Sequence, residues 1–348
     1  MKKYYTRACN FFYGSNSSGK VRKKISLPLN GNNLISFDSI EILSNGQSKI
    51  LNIKKIKFLN KDLKKKIEKD LRKITKKRSF KKLNFSNIPV LMGVINLTPD
   101  SFSDGGKYNK KKQAYNHAKN LVAKGCKIID LGGESTRPGA KDIKEKEEWK
   151  RIFPSLKRIN KLNKYISLDT RKSLIMDKGI KNNVNLINDV SGLSYDSNTL
   201  NILKKTKIPF VIHHTKGSPK TMQKNPKYKD VLIEIFDFFE NKIKELRKFG
   251  ILHNNIILDP GIGFGKNLKH NITLIKNISL FHSFGLPIMI GTSRKRFIKD
   301  ISGINDSKER LGGTISSCLY AMMQGVQILR VHDVNEVNQS IKVFKLLL

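Results

Sequence analysis

Val90-Leu-Met-Gly-Val-Ile-Asn-Leu-Thr-Pro-Asp-Ser-Phe-Ser-Asp-Gly-Gly106 joins a short apolar run to a polar loop rich in Ser, Asp and Gly. An unbroken apolar run of this length reads as a parallel strand buried on both faces, and the loop at its C-terminal end carries Asn96, Asp100 and Asp104. In α/β folds the loops after the strands are where chemistry sits. Working outward, seven more such runs follow at 127–131, 165–168, 185–187, 209–213, 255–258, 287–290 and 327–330. Helix-like stretches lie between them, among them 110–124, 145–162, 230–249 and 309–324. Eight strand–helix units in about 260 residues predict a (β/α)8 TIM barrel. A doubly wound open sheet is the alternative and normally wants fewer strands.

Each run ends in a polar or Gly-rich signal. In order these are Asn96, Gly132-Gly-Glu-Ser-Thr-Arg-Pro-Gly139, Asp169, Asn188-Asp189, His213-His214, Asp259-Pro-Gly-Ile-Gly-Phe-Gly265, Gly291-Thr-Ser-Arg-Lys295 and Arg330-Val-His332. One such end means little; eight in order place polar groups around one mouth of a barrel.

The barrel texture begins at Pro89, so the chain divides into a basic N-terminal extension, 1–88, and a barrel, 89–348. Residues 1–53 are polar and turn-rich with strand-like pieces such as 36–43, and 79–88 read as a linker. Leu63, Ile67, Leu71 and Ile74 form a single apolar stripe, which predicts an exposed basic helix over 61–78. A barrel starting at Pro89 is therefore expected to fold and work without residues 1–85.

The formal charge is +40, from 68 basic and 28 acidic residues among 348, and residues 54–82 alone hold 15 Lys/Arg against 3 Asp/Glu. Such a balance suits nucleic acid or an anionic membrane. Here Lys, Asn and Ile are heavily used throughout, and the aromatics are not interleaved with the basic residues as a stacking platform requires, so no nucleic-acid partner is expected. No apolar run approaches the roughly 18 residues of a membrane span. The three cysteines, Cys9, Cys126 and Cys318, are far apart and form no CxxC pair. That argues against a disulfide framework or a zinc site and for a reducing, cytoplasmic setting.

Asp169, Asn188 and Asp259 are short hydrogen-bonding side chains at buried strand ends. Together they can face a flat heterocycle bearing amine, N–H and carbonyl groups; the lesser alternative for each alone is a helix N-cap. Arg330 and His332 stand two apart on one face and, with Arg137, form a cationic cluster suited to phosphate or diphosphate, or else a structural salt-bridge network. Asn96 is a neutral oxygen ligand of the kind that suits Mg²⁺ completed by water and substrate phosphates. Lys295 can approach a bound ring or face solvent. Three motifs are set aside. Gly14-Ser-Asn-Ser-Ser-Gly-Lys20 fits GxxxxGK, but Val21 stands where a P-loop needs Ser or Thr. Gly261-Ile-Gly-Phe-Gly265 is GxGxG rather than GxGxxG. His213 and His214 are adjacent on a strand and point to opposite faces, a poor metal pair.

The segments 96–106, 130–140, Ser167-Leu-Asp-Thr170, Ile187-Asn-Asp-Val190, 258–266, Thr292-Ser-Arg-Lys295 and Arg330-Val-His-Asp333 resemble dihydropteroate synthase over about residues 89–348. The resemblance implies a folate-pathway transferase and sulfonamide target that joins 4-aminobenzoate to (7,8-dihydropterin-6-yl)methyl diphosphate. It implies pterin binding by Asp169, Asn188, Asp259 and Lys295, and Mg²⁺ at Asn96. It also implies diphosphate binding by Arg137, Arg330 and His332, and an aminobenzoate site framed by Phe102, Thr136, Pro138, Phe264 and Lys295. Asp104, Arg137 and Lys295 are the candidates closest to the chemistry, and a homodimer is implied. One departure is Thr215, in His213-His-Thr-Lys-Gly217, where the family often carries a methionine lining the pterin pocket.

Two other readings compete. A barrel transferring a methyl group from a reduced folate to a corrinoid shares the strand-end Asp/Asn set but needs no Glu134-Ser-Thr-Arg-Pro loop with its cations. A non-enzymatic nucleic-acid-binding protein is told apart by a salt titration, because phosphate-driven affinity falls steeply with salt.

Overall fold

The structure, a computed structural model, describes residues 3–77, 80, 83–98, 109–135, 142–217, 222 and 225–348. Four strands precede the barrel: β1 (Tyr5–Tyr13), β2 (Leu27–Leu29), β3 (Asn32–Ser44) and β4 (Gln47–Asn52), with helix α1 (Gly14–Arg22) after β1 and α2 (Lys61–Thr75) after β4. The barrel strands are β5 (Val90–Asn96), β6 (Ile128–Gly132), β7 (Tyr165–Asp169), β8 (Leu186–Asp189), β9 (Phe210–His213), β10 (Ile256–Asp259), β11 (Met289–Ile290) and β12 (Ile328–Val331). The outer helices are α3 (Asn109–Ala123), α4 (Glu145–Ile159), α5 (Ser173–Lys181), α6 (Thr199–Thr206), α7 (Val231–Lys248), α8 (Leu268–Lys276), α9 (Arg296–Ser302), α10 (Leu311–Met323) and α11 (Val334–Leu347).

All eight apolar runs are strands, displaced from their predicted bounds by a residue or two. They pair in parallel in the order β10-β9-β8-β7-β6-β5-β12-β11. The circle closes where Leu258 bridges Ile288 and the Leu258 N–H donates to the Pro287 carbonyl at 2.9 Å. A parallel strand needs a crossover back to its own starting end, which is why each run is followed by a helix. Helix and strand faces meet in one core that includes Met92, Ile129, Leu168, Phe210, Leu258 and Leu329, all buried. The barrel thus presents its strand C-termini, and the side chains on them, to one mouth. No helix among the described residues is long and apolar enough to cross a membrane.

The segment before the barrel differs from the polar arm that its composition suggests. β1, β2 and β4 all pair antiparallel with β3, giving a four-stranded sheet. Helix α2 starts where the Asn60 side chain accepts from the Leu63 N–H at 3.0 Å. Its Ile67 and Ile74 are fully buried against Ala8, Phe37 and Ile40, so the predicted stripe packs on the sheet instead of facing solvent. Inside that packing the Thr6 hydroxyl donates to Asp70 at 2.8 Å. The GxxxxGK segment lies within the body of α1, not in a loop ahead of a helix.

This layer sits on the barrel. The Tyr5 ring meets Phe236 edge-on at 5.0 Å and its hydroxyl reaches Asp237 at 3.1 Å. The Tyr13 hydroxyl donates to the Met322 carbonyl at 3.1 Å, at the end of α10. Leu29 lies against Gly325, and Phe11 against His282. His282 and Met322 precede β11 and β12, so the layer occupies the strand N-termini, at the end opposite the mouth just described.

Candidate active site

Asp169, Asn188 and Asp259 stand at the ends of β7, β8 and β10, and Arg330 lies in β12. Register brings the first two side by side, since Asp169 pairs with Asn188 across β7 and β8. The centre of the site is a residue that sequence reasoning gave no role. Asp130, in the middle of β6 and fully buried, accepts from Arg330 Nε at 2.6 Å and from Asn188 Nδ2 at 3.2 Å. Arg330 Nη2 donates to Asp169 Oδ2 at 2.8 Å. The signal was present: a carboxylate inside an otherwise apolar strand is unstable there unless it has a partner.

One guanidinium therefore holds two buried carboxylates and, through Asp130, orients an amide. Arg330 was expected beside His332 facing a diphosphate; in the structure its Nε and Nη2 are paired with Asp130 and Asp169. His332 lies just past β12, where its Nδ1 is 3.1 Å from the Ser293 hydroxyl. On the far side of each bonded group an oxygen remains without a protein partner. Among the described residues, Asp130 Oδ1, Asp169 Oδ1 and Asn188 Oδ1 are all buried without a hydrogen-bond partner. Buried acceptors left this way are costly to the free protein and mark where a ligand's donors are received.

Charge follows from the same geometry. Burial drives the Asp169 carboxyl up to about 7; the Arg330 charge pulls it back down, and Asp130 beside it pushes the same way as burial. Burial also raises Asp259, opposed by Lys295. Asp259 Oδ1 accepts the Gly261 N–H at 2.7 Å, a contact only glycine permits: φ is +71° there, and a Cβ would lie 1.9 Å from the His214 carbonyl oxygen.

Lys295 is half-buried, with its ammonium donating to the Ile262 carbonyl and lying 4.8 Å from the Phe264 ring centroid. Burial lowers its pKa to about 8, with Asp259 raising it and Arg330 lowering it. The Phe264 ring in turn meets His213 edge-on at 4.4 Å. Lys266, which the sequence analysis also passed over, is buried behind this wall and donates to the Phe264 carbonyl at 2.9 Å. His214 turns away to meet Phe238 at 4.9 Å, as expected of its alternation with His213. Thr215 is half-buried just after β9.

Asn96 ends β5 beside Gly132, where a Cβ would be 3.8 Å from Asn96 Oδ1 and 3.5 Å from the Asp169 Cβ. Among the described residues no group of three or more His, Cys, Asp or Glu side chains is placed to hold a metal ion. A single neutral oxygen at the mouth fits Mg²⁺, which keeps most of its water and takes phosphate oxygens, but not a zinc or calcium cage. Phe102, Asp104, Thr136, Arg137 and Pro138 lie outside the described residues.

What these residues can do together is hold a flat, donor-rich heterocycle across the barrel mouth, with an aromatic and cationic wall at Phe264 and Lys295 on one side. Comparison with known proteins points the same way. Residues 92–332 match the pterin binding enzymes. The dihydropteroate synthase of Escherichia coli (strain K12) is 41% identical over 256 residues, 73% of this chain and 90% of that one. The Yersinia pestis dihydropteroate synthase, solved with a sulfonamide drug complex, superposes with a TM-score of 0.71 at 38% identity, covering 76% of this chain and 95% of that one. The Xanthomonas albilineans dihydropteroate synthase with 4-aminobenzoic acid gives 0.71 at 33% identity, over 75% and 93%.

Proposed function

We propose a division of labour among the strand ends from the premise that this chain belongs to the pterin-binding enzymes and, within them, to the dihydropteroate synthases. It is a transferase of folate biosynthesis that condenses the pterin with 4-aminobenzoate. In our reading the pterin enters as its methyl diphosphate. The carbon–oxygen bond between methylene and diphosphate breaks, the leaving group takes the electron pair, and the arylamine nitrogen bonds to the methylene carbon and loses a proton.

The cation that develops on the methylene is delocalised into the pterin. The protein's work is therefore to orient the ring, stabilise the leaving group and place the amine. Asp169, Asn188 and Asp259 hold the pterin edge, with Asp130 and Arg330 fixing the first two in place. Asp169 must be ionised to accept two donors at once, which the Arg330 pairing favours. Arg137, His332 and the outer side of Arg330 receive the diphosphate. Asn96 would hold Mg²⁺, which when bound would add positive charge beside the leaving group. Phe102, Thr136, Pro138 and Phe264 frame the aminobenzoate, with Lys295 between it and the pterin; Asp104 and Arg137 act from the two loops. We further propose that the enzyme works as a cytoplasmic homodimer, as family membership implies.

The observation that carries this reading is the set of unpaired oxygens on Asp130, Asp169 and Asn188 around one guanidinium. The test is turnover of the two substrates by the purified chain, with product read by chromatography with and without Mg²⁺. Dihydropteroate that forms only with the metal is expected. Absence of product at ample substrate and metal would overturn the reading.

A further inference from the structure

The end of β9 carries a buried polar group that the mechanism leaves idle. His213 is 3% exposed. Its Nδ1 is buried and, among the described residues, has no hydrogen-bond partner. Strand register shows which way the ring points. Asn188 of β8 pairs with Val211 of β9, and partners across parallel strands share a face. Side chains alternate along a strand, so His213 lies on the face of Val211, two residues nearer the strand end. That face is the barrel interior, where Asn188 meets Asp130. On its other side His213 pairs with Asp259 of β10. The imidazole thus stands at the mouth between Asn188 and Asp259.

Its neighbours fix its place and its charge. The Phe264 ring meets it at 80° with centroids 4.4 Å apart. The loop after β10 lies against it, since a Cβ on Gly261 would be 2.9 Å from His213 Cε1. Burial first, then the charges of Lys295 and Lys266, hold its pKa well below 6.5, so the ring is neutral. A neutral imidazole carries one N–H and one lone pair. Leaving buried polar groups unpaired costs free energy that an apolar side chain of similar size avoids. Packing alone therefore does not account for a histidine at this position.

The oxygens left over on Asp130, Asp169 and Asn188 all accept. A buried heterocycle that carries carbonyl and unprotonated nitrogen atoms beside its N–H groups must also meet donors. The cations at the mouth are partly committed. Arg330 Nε and Nη2 bond Asp130 and Asp169, Lys266 bonds the Phe264 carbonyl and His214, and Lys295 bonds the Ile262 carbonyl. His213 Nδ1 is not committed.

We propose that His213 is a pterin-binding residue, its Nδ1–H donating to an acceptor atom of the ring. The proposal rests on the reading above that this mouth receives the pterin, and it adds selectivity to that reading. A ring with no acceptor at that point leaves the imidazole unpaired and is disfavoured.

Calorimetry tests this with 6-hydroxymethylpterin and the full-length chain, unmodified, with His213→Leu and with His213→Asn, with denaturation midpoints measured alongside. His213→Leu removes the hydrogen bond at similar volume and is expected to weaken binding about tenfold. Its midpoint should stay level or rise, because an unpaired buried group is gone; a merely structural role would lower the midpoint and leave the affinity alone. His213→Asn brings an amide nitrogen close to the place of Nδ1 and should bind within about threefold of the unmodified chain. In the unmodified chain the ¹⁵N resonances of the His213 ring should shift when the pterin is added. Equal affinity in folded His213→Leu would overturn the proposal. If that variant does not fold, ring resonances that stay in place on binding overturn it instead. No pterin binding by the unmodified chain would strike the proposed function and this inference with it, whereas binding indifferent to His213 strikes the inference alone.

Discussion

Lowering the pH from 8 to 6 should weaken pterin binding about tenfold, through Asp169. Its carboxyl is nearly fully buried, and burial outweighs the pull of Arg330 2.8 Å away, leaving the pKa near 7 instead of 3.8. A group with a pKa of about 7 is roughly nine-tenths ionised at pH 8 and one-tenth at pH 6, a tenfold change in competent protein or about 1.4 kcal/mol. If the bound ring needs the carboxylate, binding at pH 6 must release close to one proton, and at pH 8 almost none. Calorimetry in two buffers of different ionisation enthalpy measures both affinity and proton release. The same shift has a sign in stability. A carboxyl whose folded pKa is raised contributes stability that is present below pH 3.8 and lost as pH rises to 7. Asp169→Asn should flatten the pH dependence of the unligated protein's stability above pH 4 and weaken binding by about 1–3 kcal/mol at pH 8. Flat affinity and no proton release between pH 6 and 8 would refute the argument, showing that the Arg330 pair keeps Asp169 ionised throughout.

Asp130→Asn removes the carboxylate charge that Arg330 Nε and the Asn188 amide donate to, leaving a neutral amide oxygen as the acceptor. A loss of about 2–4 kcal/mol in chemical denaturation and weaker pterin binding are expected, somewhat below the usual cost of breaking a buried pair because Arg330 keeps Asp169; an unchanged midpoint would mean the cluster is already neutral. Deleting residues 1–85 should lower the melting temperature sharply and expose apolar surface to a dye. It strips Tyr5, Tyr13 and Leu29 from Phe236, Met322 and Gly325, at about 1–3 kcal/mol for each buried anchor. A truncated barrel with the melting temperature and activity of the full chain would show instead that the layer is dispensable.

Strand positions were legible because they are local. An apolar run between polar loops, repeated eight times, specifies both the period and the side of the barrel on which Asp169, Asn188, Asp259, Lys295 and Arg330 emerge. The motif after Asp130 identified the family for the same reason, since loop chemistry is written in consecutive residues. Sequence reading failed where partners are distant. Arg330 meets Asp130 across 200 positions, and no spacing rule predicts that its charge turns inward. Glu134 pairs with Arg171 and Lys172 from another strand end, and Lys266 reaches the His214 carbonyl only once β9 and β10 are paired. The N-terminal layer misled most, because a lysine-rich helix looks solvated until its Ile67 and Ile74 are seen buried on a sheet. Composition and periodicity report what a segment carries, so the chain by itself determined the barrel and its polar mouth. Which charges neutralise one another, and which face of a basic segment is hidden, depends on distances between residues far apart in sequence, and those exist only after the strands have closed into a ring.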